Sequence, residues 1–254
     1  MITNYKIFET LNSRGTKSLT EKEFDQILKS NCKNWSRSKT PLYRGQINLG
    51  TYLYTDPRGT YRKSIDDVNT HIEMMDNLPS WEGYPKYSQS VIGVSSNKSM
   101  AEDYISDNGV VYEIIPFDNI EIAVCPSMTI WDSFGGFGDE DAIYLTGNFL
   151  EENGINRDIW IQSEGESIED RLKSLDKISN GKYSKEFLHQ ASDYIKKKPS
   201  KINGVDCYNF INDYLFNPAV CGFNKVRYVS GFEIEKNKQI WTNGPVLLIH
   251  QDLV

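Results

Sequence analysis

Pro41-Leu42-Tyr43-Arg44-Gly45-Gln46 reads as a short apolar strand that delivers one arginine to a glycine corner. A guanidinium at the end of a buried strand is costly without a partner. Its planar five-donor fork suits a phosphate or a carboxylate. An arginine closing a salt bridge at a strand end is the simpler alternative for this hexapeptide alone. The choice between them depends on what accompanies Arg44 further along the chain.

Working outward, residues 17–31 have helical spacing, with Ser18 or Thr20 as cap, Glu21 to Glu23 in the first turn and Phe24, Ile27 and Leu28 on one face. Gln46 to Ser64 is rich in Gly, Thr and Tyr and reads as a loop or ragged hairpin, with a turn at Asp56-Pro57-Arg58-Gly59. Arg58, Arg62 and Lys63 form a small basic cluster there, which is a solvated loop in its plainest reading. A second helix is expected over Asp66 to Leu78, stopped by Pro79. In Ser90 to Ser96 the alternation gives a strand with one small, hydroxylated face, followed by a cap at Ser96-Asn97 and a short helix through Ala101 and Ile105. Strands are expected at Val110 to Pro116 and Ile120 to Cys125, then a glycine-rich corner at Phe134 to Gly138. That corner lacks the Lys-Ser/Thr of a phosphate loop. Helices follow over 141–152, 167–178, 184–197 and 206–215. The end returns to strands at Lys225 to Glu235, Gln239 to Thr242 and Val246 to Ile249.

Composition bounds the function. The 254 residues are 39% hydrophobic and 25% charged, ordinary values for a chain with a real core. A formal charge of −7 argues against a broad nonspecific grip on nucleic acid. Cys32, Cys125, Cys207 and Cys221 stand apart with no CxxC spacing, and the three histidines are scattered, so no metal is expected. His71, His189 and His250 have no nucleophile motif beside them and read as structural. The first residues carry no apolar signal core and no run reaches membrane-spanning length. The expectation is a soluble cytoplasmic protein with reduced thiols and no membrane partner.

Three of these stretches, taken in order, resemble the arginine–serine–glutamate class of ADP-ribosyltransferases, its phage and bacterial toxin-like members included. The first is aromatic-Arg-Gly at Tyr43-Arg44-Gly45. The second is a strand entering hydroxylated residues and then a helix with an early alanine, from Val91 through Val94-Ser95-Ser96 to Ala101. The third is a late Glu-x-Glu, Glu233-Ile234-Glu235. The resemblance covers scattered motifs rather than the whole chain. It implies an α+β fold with two small, roughly perpendicular β-sheets around an NAD cleft. The chain would be one domain over 1–254 with a mostly helical insertion around 139–215.

The same resemblance implies a mono-ADP-ribosyltransferase that breaks the nicotinamide–ribose bond of NAD. ADP-ribose would pass to a macromolecular acceptor, a protein side chain or a nucleic acid. In these terms Tyr43, Arg44 and Gly45 bind NAD and Ser95 and Ser96 brace the site, while Glu235 engages the ribose and Glu233 activates the acceptor. The chemistry is coherent on its own terms. An arginine fork grips a pyrophosphate bidentately, and a carboxylate near the ribose stabilises an oxocarbenium-like transition state more than the ground state. A role as a toxin in phage–host conflict, with a neutralising antitoxin, belongs to the same implication, as does a bacterial cytosol or a phage-infected cell.

The chain also departs from that pattern. Val94-Ser95-Ser96 stands where the class has Ser-Thr-Ser, with Gly93 in the first serine's place in one register. Gln239-Ile240-Trp241 resembles the class's Glu-aliphatic-aromatic strand with glutamine in the glutamate's place. Asp139-Glu140-Asp141 is a third acidic location, although acids there suit a helix N-terminus. The catalytic position therefore stays open among Glu233/Glu235, Gln239 and the 139–141 acids. An NAD glycohydrolase and a catalytically impaired NAD-binding module are the alternatives.

Overall fold

Thr20 begins the first helix by a reciprocal cap. Its hydroxyl accepts the Glu23 amide at 3.3 Å, and the Glu23 carboxylate accepts the Thr20 amide at 2.9 Å. The computed structural model describes residues 15–60, 69–105, 109–135, 151, 174, 201–202, 205–206, 209, 212–213 and 216–251. In chain order these form β1 (Thr16–Ser18), α1 (Glu21–Asn31), β2 (Leu42–Ile47), β3 (Tyr52–Thr55), α2 (Asn69–Asn77), β4 (Val91–Ser95), α3 (Lys98–Glu102), β5 (Gly109–Pro116), β6 (Glu121–Val124) and α4 (Ile130–Gly135). After them come β7 (Lys201–Ile202), β8 (Val205–Asp206), β9 (Asn224–Arg227), β10 (Gln239–Thr242) and β11 (Val246–His250).

The fold is mixed α+β. Nine strands form one antiparallel sheet in the order β1-β3-β11-β5-β2-β4-β10-β6-β9, and β7 and β8 make a separate two-stranded pair. Two separate perpendicular sheets, as expected from sequence, are not what these hydrogen bonds describe. Nor is the long ladder flat. Only Asn243, Gly244 and Pro245 separate β10 from β11, yet the two strands stand four places apart in the order. Four inter-strand spacings make about 19 Å, whereas four residue steps span about 14 Å at most. The ladder therefore bends over itself. The join of β2 to β4 is narrow, in register only at Leu42↔Ser95 and Tyr43↔Val94, while β2 pairs with β5 from Leu42↔Ile114 to Ile47↔Gly109.

The bend encloses an apolar cluster drawn from both arms, including Leu42, Val91, Ile114, Ile122, Ile240 and Leu248. The opposite face is covered by helices. Phe24 of α1 packs with Ile115, Leu247 and Ile249, and Met100 and Ala101 of α3 pack with Val94 and Val111. Fully burying such side chains stabilises by about 1.5–3 kcal/mol each.

The chain divides into two compact units, residues 1–67, 84–128 and 225–254 in one and 68–83 and 129–224 in the other. The nine-stranded sheet belongs essentially to the first. In the second, the indole of Trp81 donates to the Phe216 carbonyl at 2.6 Å and meets Phe223 edge-on at 5.0 Å. The expected helical insertion at 139–215 falls within this unit, and most of it lies outside the described residues. The part that is described includes the β7–β8 pair, so Asp206, expected to start a helix, closes a hairpin instead. Of the glycine-rich corner, Phe134 and Gly135 end α4, and 136–138 lie outside the described residues.

Three other expectations are corrected. Gly45 is not a corner, because β2 runs on to Ile47. Of 46–64, expected as a loop or ragged hairpin, Tyr52–Thr55 form β3, which pairs with β1 and β11 rather than with β2, and 61–64 lie outside the described residues. The strand expected over Lys225 to Glu235 ends at Arg227, and Glu233-Ile234-Glu235 lies on irregular backbone.

Candidate functional site

Cross-strand register assigns the candidate residues to faces of the sheet, because directly paired residues point the same way and neighbours alternate. Leu42 pairs with Ser95 and Ile114, and Arg44 pairs with Tyr112. Arg44 and Ser95 therefore share the concave face. Tyr43 pairs with Val94 and Glu113, and Val94 with Gln239, so these four form a row on the helix-covered face. The pleat sends Gln239 away from Arg44 and Ser95.

Arg44 is 3% exposed. Its Nε donates to Gln46 Oε1 at 2.8 Å and its Nη1 donates to the Ile92 carbonyl at 2.7 Å. The guanidinium thus clips the middle of β2 to β4, where the register pairs of the two strands have run out. Gly45 is required by a close approach of α3, since a Cβ there would lie 2.1 Å from the Ala101 carbonyl oxygen. Tyr43 has its phenol held above the ordinary range by burial first and then by the Glu113 carboxylate, against a smaller downward pull from Lys98. A cavity of about 10 Å³ lies here, lined by Tyr43, Arg44, Gly45, Ile92, Ala101 and Tyr104 among others. It has room for about one water and is too small for a dinucleotide.

Ser95 is fully buried and uses its hydroxyl twice. Oγ donates to the Glu235 carbonyl at 2.5 Å and accepts the Lys238 amide at 3.0 Å. The Ser95 backbone adds bonds to Lys238 and Asn237. Ser96 follows in the left-handed region at φ 55°, its amide donating to the Pro41 carbonyl at 2.8 Å. Together these residues pin the segment that carries the late acids. Thr40 pins its other end, with Oγ1 donating to the Ile234 carbonyl at 3.3 Å and accepting the Ile234 amide at 3.0 Å.

The acids themselves face solvent. Glu233 pairs with Lys39 at 2.8 Å, and Glu235, with its side chain 81% exposed, lies 3.2 Å from Lys238 Nζ. That ammonium also donates to the Pro126 carbonyl. Gln239 is buried, its Nε2 3.4 Å from the Tyr87 hydroxyl, and Tyr87 packs edge-on against Trp241 with ring centroids 5.6 Å apart. Asp139-Glu140-Asp141, Arg62, Lys63 and His189 lie outside the described residues. Arg58 is engaged by Asp56 at 2.6 Å, which holds the Asp56 carboxyl below its usual range.

Two residues that bear on the site were not singled out in the sequence. Gln46 follows Arg44 by one turn of the pleat, and its Nε2 is buried without a hydrogen-bond partner among the described residues. Glu113 sits opposite Tyr43 and accepts from the Trp35 indole at 2.7 Å and from Gln251 at 3.1 Å. Period-2 alternation through the Arg44 strand was the available signal for Gln46. Nothing local marked Glu113, because its partners come from distant segments. Among the described residues no group of three His, Cys, Asp or Glu is placed to hold a metal ion, and no helix is long and apolar enough to cross a membrane. Comparison with protein families, with curated proteins and with solved structures finds no match to this chain.

Proposed function

We propose that the chain is an ADP-ribosyltransferase that cleaves the nicotinamide–ribose bond of NAD and transfers ADP-ribose to a macromolecular acceptor. One observation carries this reading. Arg44 and Ser95, written far apart, lie on adjacent strands β2 and β4 with their side chains on one face of the sheet. The bracing expected of the serine also has a physical counterpart in the two hydrogen bonds that Ser95 makes to the Glu235–Lys238 segment.

On this reading the carboxylate is that of Glu235. Gln239 turns to the opposite face and anchors the head of β10 under Tyr87. The C1′–nitrogen bond breaks with its electron pair leaving on nicotinamide, and the Glu235 carboxylate stabilises the positive charge left on the ribose. The acceptor's nucleophile then forms the new bond to C1′ and gives up its proton to Glu233 or solvent. Glu235 must first leave Lys238, a partly exposed ion pair worth about 1 kcal/mol.

The test uses NAD labelled in its adenylate phosphate, incubated with cell lysate and the full chain. Label on a macromolecule, lost in Glu235→Gln, is the expected result. A catalytically impaired module is the second reading. It is favoured by the buried neutral amide of Gln239 in the position where the class resembled in sequence has a glutamate. NAD binding without nicotinamide release would decide for it, and free ADP-ribose without labelled macromolecule would indicate a glycohydrolase. Failure of the wild type to bind NAD at all would remove all three.

A further inference from the structure

We propose that Gln46 is a direct contact for NAD through its side-chain amide nitrogen, with Arg44 acting as the residue that aims it; this rests on the NAD reading above. The Arg44 guanidinium is 3% exposed, with Nε committed to Gln46 Oε1 at 2.8 Å and Nη1 to the Ile92 carbonyl at 2.7 Å. A guanidinium only donates, so the atom facing it must be the amide oxygen, and the orientation of the Gln46 amide is settled by that bond. The consequence is that Nε2 points away from Arg44. That nitrogen is buried and has no acceptor among the described residues.

A buried donor left unpaired is uncommon in folded proteins and calls for an acceptor, either a fixed water or a ligand atom. Gln46 as a residue is only partly buried although Nε2 itself is covered, so a ligand meets the nitrogen once this side chain shifts outward. It lies on the face shared by Arg44 and Ser95. The backbone around it is already satisfied, with Tyr112 Oη donating to the Gly50 carbonyl at 2.7 Å and accepting the Leu49 amide at 3.1 Å. An amide N–H held in place by a neighbouring cation, with no carboxylate of its own, suits an anionic oxygen. The group of NAD that fits is its pyrophosphate.

Isothermal titration of the full chain with NAD, and separately with inorganic pyrophosphate, tests this alongside melting curves. Gln46→Glu keeps the oxygen that Arg44 needs and replaces the donor with a second anionic acceptor. The expected result is an unchanged or raised melting temperature with NAD and pyrophosphate affinity lower by about tenfold or more. Gln46→Leu removes both functions and serves as the second variant should the first fold poorly; it too must lose affinity. Wild-type NAD affinity in a folded Gln46→Glu would overturn the inference while leaving the NAD reading intact, and would assign the amide to a bound water. Absence of NAD binding in the wild type would overturn both.

Discussion

Arg44 shows how a residue suited to a ligand can be structural at the same time. Its hydrogen bonds satisfy a backbone carbonyl on β4 and a side-chain oxygen on β2. Truncation would leave those acceptors unpaired in a buried site, at about 1–3 kcal/mol each. Arg44→Ala is therefore expected to lose about 3 kcal/mol, read as a lower urea midpoint, before any effect on NAD is considered. Loss of activity in that variant alone would not assign the arginine to chemistry. Glu235 is the opposite case. Its carboxylate is 81% exposed and its structural bond is made by the backbone carbonyl, so Glu235→Gln should keep the wild-type midpoint. If the chain transfers ADP-ribose as proposed, transfer of label from NAD should fall by about a hundredfold or more, the scale of a removed transition-state charge contact. A folded Glu235→Gln that keeps full transfer would take Glu235 out of the mechanism.

At the scale of elements, the tightest constraint is where α3 rests on β2. A methyl at Gly45 would sit 2.1 Å from the Ala101 carbonyl oxygen, which is backbone and cannot swing aside. Gly45→Ala should cost about 3 kcal/mol through displacement of α3, measured by urea unfolding. The Ser95 clip gives a more local prediction. Ser95→Ala strands the Lys238 amide and the Glu235 carbonyl. It should cost about 1–3 kcal/mol and speed hydrogen exchange at Asn237 and Lys238 more than elsewhere in the sheet. Elements with a strong local signal were legible in the sequence. The Thr20 cap, the β4-to-α3 passage through Asn97, and β5, β10 and β11 all fall where alternation and capping residues put them. Glu233-Ile234-Glu235 looked equally regular and is not a strand. Its hydrogen bonds go to the hydroxyls of Thr40 and Ser95, which lie nearly two hundred and one hundred and forty positions away, and no window of sequence reveals such partners.

For the molecule as a whole, the bend in the sheet was the least legible feature. It follows from the shortness of the β10–β11 link set against their separation in the ladder, and pairing order is a long-range property. Two buried proton-bearing groups, Tyr228 inside the bend and Cys32 on the helix-covered face, have titrations that report on the fold. Tyr228, packed against Phe232 inside the bend, has its phenol pushed up to about 12 mainly by burial, with a smaller opposing effect from a Ser38 hydrogen bond. Cys32, packed under α1, has its thiol pushed up to about 12 by burial and by the Asp118 carboxylate. In the unfolded chain these groups titrate near 10 and 8.5. Below about pH 8 both states hold their protons and the stability is fully present. Between the unfolded and folded values the unfolded chain releases protons that the folded chain retains, so stability falls as pH rises. The slope approaches about 1.4 kcal/mol per pH unit for each group at most. Urea midpoints should therefore hold steady to about pH 8 and fall between about pH 9 and 11. Cys32→Val should flatten the first part of that fall and Tyr228→Phe the later part. A wild-type midpoint that stays level to pH 11 would mean that neither proton is confined as the packing inside the bend and under α1 requires.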